Sequence, residues 1–180
     1  MPGEPPAVLT AGGISLVLDV AGPRLPRVRH FGADPGPLDP DLLDALVPLG
    51  GDLPLLASQA DGWVGRPGLS GHRQGASMPV RWLLDEPVTV ESGRGGRILA
   101  AASDAEAGLR VVSELELDRF GVLRMRHALT NLGAEPYTVD ALVCTLPIPA
   151  GDAELLDFTG RWSKEKQPQR TDFNHGVWSR

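Results

Sequence analysis

The chain has 180 residues, of which 42% are hydrophobic and 22% are charged, and its formal net charge is −6. This length and composition are those of one globular domain that can bury its own core, and they exclude collagen, coiled coil and full disorder. The acidic balance argues against a nucleic-acid partner, because like charges repel the phosphate backbone. With 22 glycines and 17 prolines, the composition favours many short strands joined by turns.

The N-terminal residues and the single cysteine indicate in which cellular compartment the protein is expected. The first six residues contain neither a basic region nor an apolar run, and no stretch approaches the ~18 apolar residues of a membrane span. We therefore expect no signal peptide, no membrane partner and a cytoplasmic location. Cys144 has no partner for an internal disulfide and lies within an apolar run, so we expect it to be a buried small hydrophobic residue.

The first third of the chain combines two predicted strands with a long loop. Apolar residues alternate over residues 14–20, and a second strand is predicted over residues 26–31. Residues 33–61 hold five prolines and three glycines, which leave room only for a short helical turn at residues 41–47. A loop of this length in a compact domain is typically functional or disordered.

The middle of the chain predicts an antiparallel meander. Short strands at residues 80–84 (with Trp82 in the core) and 88–90 and a weaker one at 97–102 precede the clearest alternation, residues 109–118, which turns into a strand at 123–129. A last strand at residues 137–146 is apolar on both faces, as in a strand packed between two layers. The fold class predicted is an all-β antiparallel sandwich with less than roughly 10% helix.

The C-terminal tail has a different composition. It mixes charged, aromatic and glycine residues, notably in the stretch Leu-Asp-Phe-Thr-Gly-Arg-Trp at residues 156–162. We expect no regular strands there. The tail also ends without a terminating signal, so we expect the chain to be truncated.

Three separated segments resemble the N-terminal domain of the family 36 α-galactosidases in their actinobacterial form. They lie at residues 30–32, 62–73 and 156–162, with support from residues 169–170 and 176–180. The resemblance implies a mutarotase-like β-supersandwich over residues 1–180, with the catalytic (β/α)₈ barrel absent from this chain. It also implies an intact enzyme that hydrolyses terminal α-D-galactosyl residues with retention, which needs two carboxyl groups about 5 Å apart.

The family's two catalytic aspartates belong to the barrel, so the resemblance implies no catalytic residue in this chain, no cofactor and no metal. The domain would support a homo-oligomer, a tetramer in the family, and wall the sugar site. Trp162 matches a tryptophan near the substrate and can pack against a sugar ring, unless it only fills a gap against the barrel. Trp63 and Arg66 lie in a glycine-rich loop. Family loops of this kind reach a neighbouring active site and supply an aspartate, for which Asp52 is the candidate.

Other interpretations remain open at this stage. The aspartates of the long loop are expected to be solvated turn residues rather than an acid–base pair, and the four histidines lack metal-ligand spacing. The chain could be an independent carbohydrate-binding module, although only nine residues are aromatic. It could also be a mutarotase-like sugar epimerase, for which His127 on a strand is a candidate acid–base residue.

Overall fold

The computed structural model of the chain describes residues 5–39, 53–147 and 154–172. They fall into two compact units, one within Met1–Ile148 and one within Pro149–Arg180. The strands of the larger unit are β1 (Ala7–Ala11), β2 (Ile14–Asp19), β3 (Arg27–Ala33), β4 (Leu53–Pro54), β5 (Leu69–His72), β6 (Leu83–Leu84), β7 (Thr89–Gly93), β8 (Gly95–Asp104), β9 (Leu109–Leu117), β10 (Leu123–Asn131) and β11 (Thr138–Leu142).

The first sheet is antiparallel, in the order β1-β2-β3-β4. Only Gly12 and Gly13 connect β1 to β2, and their φ angles are 58° and 78°. A two-residue hairpin whose two loop residues both have positive φ suits glycine, which adopts such angles without steric cost. The sequence of this turn therefore sets the register of the hairpin.

The second sheet has the order β10-β9-β8-β6, and β7 also pairs with β8. In β9 every second residue is buried, beginning with Leu109, while the intervening residues face outward. On the outward face, Glu114 accepts a hydrogen bond of 2.7 Å from Arg97 and is also paired with Arg126. Hydrophobic residues on one face and charged pairs on the other make this a half-buried sheet.

Two hydrophobic clusters make the core of the larger unit. The first joins β1, β2 and β3 to β8 and β9, so the two sheets pack face to face as a sandwich. The second surrounds Trp82, which is 1% exposed, together with Leu25, Leu56 and Val111. The predicted all-β antiparallel sandwich is confirmed, as is the core position of Trp82. The helical turn expected at residues 41–47 lies outside the described residues.

Two expectations for residues 137–146 are wrong. The strand there, β11, ends at Leu142 and pairs with β5 rather than with β10, and its residues are exposed or half-buried. Cys144 is exposed, with its Sγ donating to the carbonyl oxygen of Met125 over 3.7 Å. The chain leaves the meander after β10, so this apolar run lies at the margin of the core instead of between two layers.

The smaller unit is a hairpin of β12 (Glu154–Arg161) and β13 (Lys164–Asp172), joined by Trp162 and Ser163. The expectation that this tail lacks strands is therefore wrong. Both faces of β13 are exposed, so its sequence shows no hydrophobic alternation. The pairing is supported instead by polar contacts such as the 2.6 Å ion pair between Arg170 and Glu154.

Within the described ranges, the chain forms no helix long and apolar enough to cross a membrane.

Candidate functional site

The loop that carries Trp63 begins with a short capped turn. Ser58 precedes the 3₁₀ turn Gln59–Asp61, and its Oγ accepts a hydrogen bond of 3.2 Å from the amide of Ala60. The same hydroxyl donates to the carbonyl oxygen of Val80, which ties the turn to the segment beside the core. Gly62 ends the turn with a φ of 81°, a left-handed conformation that favours glycine.

Trp63 and Arg66 belong to one closed loop. The indole nitrogen of Trp63 donates a hydrogen bond of 3.0 Å to the carbonyl oxygen of Arg66. The ring lies so close over Gly65 that a Cβ added there would be 2.8 Å from the indole nitrogen. At the base of the loop, the amide of Gly68 donates to the carbonyl oxygen of Ala57 over 2.8 Å. Gly65 thus allows close packing against the indole ring.

The outer side of this Trp63 loop (residues 62–68) is presented to solvent. Val64 is fully exposed, at 102% of its reference area, and Arg66 is exposed while Trp63 is half-buried. An ordered loop that exposes an apolar tip and a cation can contact a ligand or a second protein. The structure therefore brings together two of the four predicted substrate-binding residues, Trp63 and Arg66.

Trp162 lies at the turn of the β12–β13 hairpin and is 90% exposed. Ser163, which follows it, has a φ of 67°, so the turn needs a residue in the left-handed region. On the same hairpin, Leu156 and Phe158 are also about half exposed, at 48% and 55%. Within its own unit the indole ring is thus open to contact on both faces.

The acidic loop is only partly described. Asp52, the candidate aspartate, lies outside the described residues, as do Asp41 and Asp44. Asp34 accepts hydrogen bonds from the amide of Gly36 and the hydroxyl of Ser15. Both bonds lower the pKa of its carboxyl group, and the bond from Gly36 has the larger effect. Asp34 therefore acts as a turn-forming residue, as expected for an aspartate in such a loop.

His127 is placed against a polar core residue, not against a carboxylate. Its Nδ1 lies 2.9 Å from the Oγ of the buried Ser113, and burial lowers its pKa. Glu114 and Glu116 lie on the opposite face of the sheet, because successive residues of β9 alternate in direction. Among the described residues, no group of three or more histidine, cysteine, aspartate or glutamate side chains could hold a metal ion.

Sequence analysis missed the role of Arg73. Its guanidinium donates to the carbonyl oxygens of Ala107 (3.1 Å) and Glu135 and to Oδ1 of Asn131 (2.6 Å), and it lies 5.4 Å from the centre of the Tyr137 ring. One side chain therefore joins the end of β5 to two turns distant in sequence. No spacing signal could have revealed contacts so far apart along the chain.

Comparison with known proteins identifies the family. Residues 24–180 match the glycosyl hydrolase family 36 N-terminal domain. The chain belongs to this family. This family 36 chain is 35% identical over 153 residues to an α-galactosidase of Escherichia coli, an alignment that covers 84% of the chain and 21% of that enzyme.

Two solved structures of the family 36 α-galactosidase AgaA from Geobacillus stearothermophilus share the fold. The complex with 1-deoxygalactonojirimycin matches with a TM-score of 0.70 at 15% identity, over 91% of this chain and 27% of that one. The complex with raffinose matches with a TM-score of 0.72 at 14% identity, over 93% of this chain and 28% of that one. The chain thus spans between 21% and 28% of the length of these relatives.

Proposed function

We propose that the chain is the non-catalytic N-terminal domain of an α-galactosidase that hydrolyses terminal α-D-galactosyl residues with retention. The observation that carries this proposal is the 35% identity over 153 residues to an α-galactosidase. The two carboxyl groups that a retaining mechanism needs would be supplied by the barrel of the full-length product, and no cofactor is required. The exposed free thiol of Cys144 fits a reducing compartment such as the cytoplasm.

In this proposal the Trp63 loop acts between subunits of a homo-oligomer, a tetramer in the family. Its hydrogen bond from Trp63 to Arg66 and its fully exposed Val64 support a preformed contact element, because an ordered loop loses little entropy on binding. Arg66 would hydrogen-bond sugar hydroxyl groups, and Trp63 would cover an apolar sugar face. Asp52 would add a carboxylate at the same neighbouring site.

Trp162 would itself contact the sugar in the intact enzyme. A sugar ring presents C–H groups on one face, and an exposed indole offers the flat apolar surface that packs against them. The 90% exposure of Trp162 leaves its indole available for this contact. The proposal assigns the substrate, rather than the barrel, as the partner of this ring.

The geometry favours neither alternative function. An epimerase would need a histidine and a glutamate that converge on one face, whereas His127 lies against Ser113 and the neighbouring glutamates of β9 face the other way. An independent binding module would need a platform of several aromatic side chains. In the smaller unit, the described aromatic residues are Phe158 and Trp162 alone.

Kinetics on variants of the full-length product test the proposal. Trp63→Ala and Trp162→Ala should each lower kcat/KM for p-nitrophenyl α-galactoside by about tenfold, the loss expected from a contact worth about 1.4 kcal/mol. Phe120→Ala is the matched control, because Phe120 is an aromatic residue with 70% exposure at another turn and should leave the kinetics unchanged. Trp63→Phe separates the ring from the indole hydrogen bond.

Two results would contradict these assignments. Variants that melt several degrees lower with unaltered kinetics would make Trp63 and Trp162 structural residues. A monomeric full-length enzyme in sedimentation velocity, active with the same kinetics, would remove the role between subunits.

A further inference from the structure

A cleft of about 280 Å³ opens beside the Trp63 loop. Gln59 lines it from the 3₁₀ turn before that loop, and Pro67 lines it from the loop itself. Ser70 contributes from β5, and Ser77 and Met78 from the segment that follows β5. The ring of Tyr137 closes one side. None of the substrate-binding residues assigned above lines the cleft, so the proposed sugar contacts do not account for it.

The cleft is uncharged, although 22% of the chain's residues are charged. Its lining residues are all apolar, hydroxyl or amide in character. Two other surface clefts in the described part of the larger unit are different. One contains Arg94 and Arg97, and the other contains Glu114, Arg124 and Arg126. An uncharged lining selects for a neutral ligand, because no group in it repays the desolvation of an ion.

The polar groups of the cleft are available to a ligand. Within the described ranges, the side chains of Gln59, Ser70 and Ser77 form no hydrogen bond with another residue. Together they offer amide and hydroxyl groups that can both donate and accept, which matches the hydroxyl groups of a sugar. The lining thus combines neutral polar groups with apolar side chains, which together can hold a small neutral ligand.

The apolar wall of the cleft is held in place by the fold. Tyr137 lies directly over the backbone of β5, where a Cβ added to Gly71 would be 2.7 Å from the tyrosine hydroxyl oxygen. The guanidinium carbon of Arg73 lies over the same ring, 5.4 Å from its centre. Met78 adds a flexible apolar surface and is 46% exposed. A fixed aromatic ring next to an adaptable thioether suits the C–H face of a sugar.

We propose that this cleft binds one neutral hexose unit through residues other than Trp63, Arg66, Trp162 and Asp52. The identification of the hexose as part of an α-galactoside rests on the proposed function. The binding itself depends only on the lining of the cleft. A single hexose on so open a surface should bind weakly, with a Kd on the order of 1–10 mM.

Methyl NMR on the 180-residue chain tests the proposal, with raffinose, galactose and sucrose as probes. The chain has three methionines, so carbon-13 labelling of their methyl groups gives few signals. Met78 reports on the cleft, and Met125, which packs against the first core cluster, is the internal reference. We expect a saturable shift of the Met78 signal and a constant Met125 signal.

Two variants and one control make the test specific. Ser77→Phe fills the cleft at an exposed position, and Gln59→Ala removes its amide, so both should weaken binding at least tenfold. Leu83→Ala, at a residue with the same 46% exposure as Met78, should leave the titration unchanged. The proposal would be overturned if the Met78 signal did not shift at about 50 mM sugar. It would also be overturned if both cleft variants bound the sugar with the same Kd as the unmodified chain.

The outcome is independent of the activity assay. A saturable Met78 shift in a chain whose full-length product lacks α-galactosidase activity would keep the cleft and reject the proposed function. An active full-length enzyme whose chain gives no Met78 shift would reject the cleft alone.

Discussion

The guanidinium of Arg24 forms an ion pair with the carboxylate of Asp61, and this contact joins the segment before β3 to the turn that begins the Trp63 loop. The Asp61 side chain is only 10% exposed, whereas that of Arg24 is 40% exposed. The loop is thus anchored at its start by a charge pair and at its base by the hydrogen bond between Gly68 and Ala57. These two contacts fix both ends of the loop, while its tip at Val64 stays exposed.

Asp61→Asn should loosen the Trp63 loop without unfolding the domain. Because Arg24 is 40% exposed, solvent screens the ion pair, and its loss should cost about 1 kcal/mol of local stability. Amide exchange at residues 59–68 should then rise about fivefold. Hydrogen–deuterium exchange with mass spectrometry measures this. Asp85→Asn is the control, because it breaks the 2.9 Å pair with Arg110 elsewhere. Equal exchange at residues 59–68 in both variants would show that the Arg24 contact does not order the loop.

The two glycines of the first hairpin should respond differently to a methyl group. Gly12 and Gly13 both have positive φ, but a Cβ at Gly12 would be 2.4 Å from the backbone of Phe120, whereas nothing lies within 4 Å of one at Gly13. Gly13→Ala should therefore cost about 1 kcal/mol for strain alone, and Gly12→Ala at least 2 kcal/mol more. Urea unfolding monitored by circular dichroism gives both values. Equal losses would mean that the turn from β9 to β10 does not pack on this hairpin.

The strands best predicted from the sequence are those with one buried face. In β9 the alternation of buried and outward residues is complete, and its boundaries are correct to within a residue. Of the described strands, β8 is the longest, at 10 residues. The sequence predicts it only as a weak strand, because its small alanines pack on the core without giving a strong hydrophobic signal. The hairpin at Trp162 was missed because β13 is exposed along its whole length and shows no alternation. Alternation also says nothing about partners, so the pairing of β11 with β5 could not be predicted.

Arg73 should be important for stability despite its polar surroundings. Arg73→Ala removes hydrogen bonds to Ala107, Glu135 and Asn131 together with the stacking on Tyr137, and we expect a loss of about 2–3 kcal/mol. Arg73→Lys should recover less than half, since an ammonium cannot reproduce the planar fork. Arg119→Ala removes a surface cation whose ring contact is with Phe120, and it should change the melting temperature little. If the two alanine variants melt alike, the Arg73 contacts contribute no net stability.

His127 should make the domain less stable at mildly acidic pH. Burial keeps its pKa below the ordinary value in the folded state, so as pH falls through about 6.5 the unfolded chain takes up a proton that the folded chain does not. The free energy of unfolding should therefore decrease from about pH 7.5 to about pH 5.5. His127→Asn should flatten this dependence, and His72→Asn should preserve it. If the free energy of unfolding of the His127 variant depended on pH as strongly as that of the unmodified chain, other groups would be responsible for the effect.

The candidate site shows how far sequence reasoning reached. Resemblance alone selected Trp63 and Arg66, and the glycines around them predicted that both residues lie in one loop. The hydrogen bond that closes the loop, and its anchor at Arg24, depend on contacts between residues that are distant in sequence. The cleft lined by Met78 could not be predicted from the sequence either, because its wall comes from three segments that are distant along the chain.

Turnover of p-nitrophenyl α-galactoside, measured side by side for the 180-residue chain and for the full-length product of its gene, tests the central claim most directly. We predict hydrolysis by the full-length product and none above background by the 180-residue chain, because the nucleophile and the acid/base would both be missing and loss of either alone costs several orders of magnitude. Turnover by the 180-residue chain that an aspartate-to-alanine change within it abolishes would contradict the account, as would a full-length product inactive on every α-galactoside.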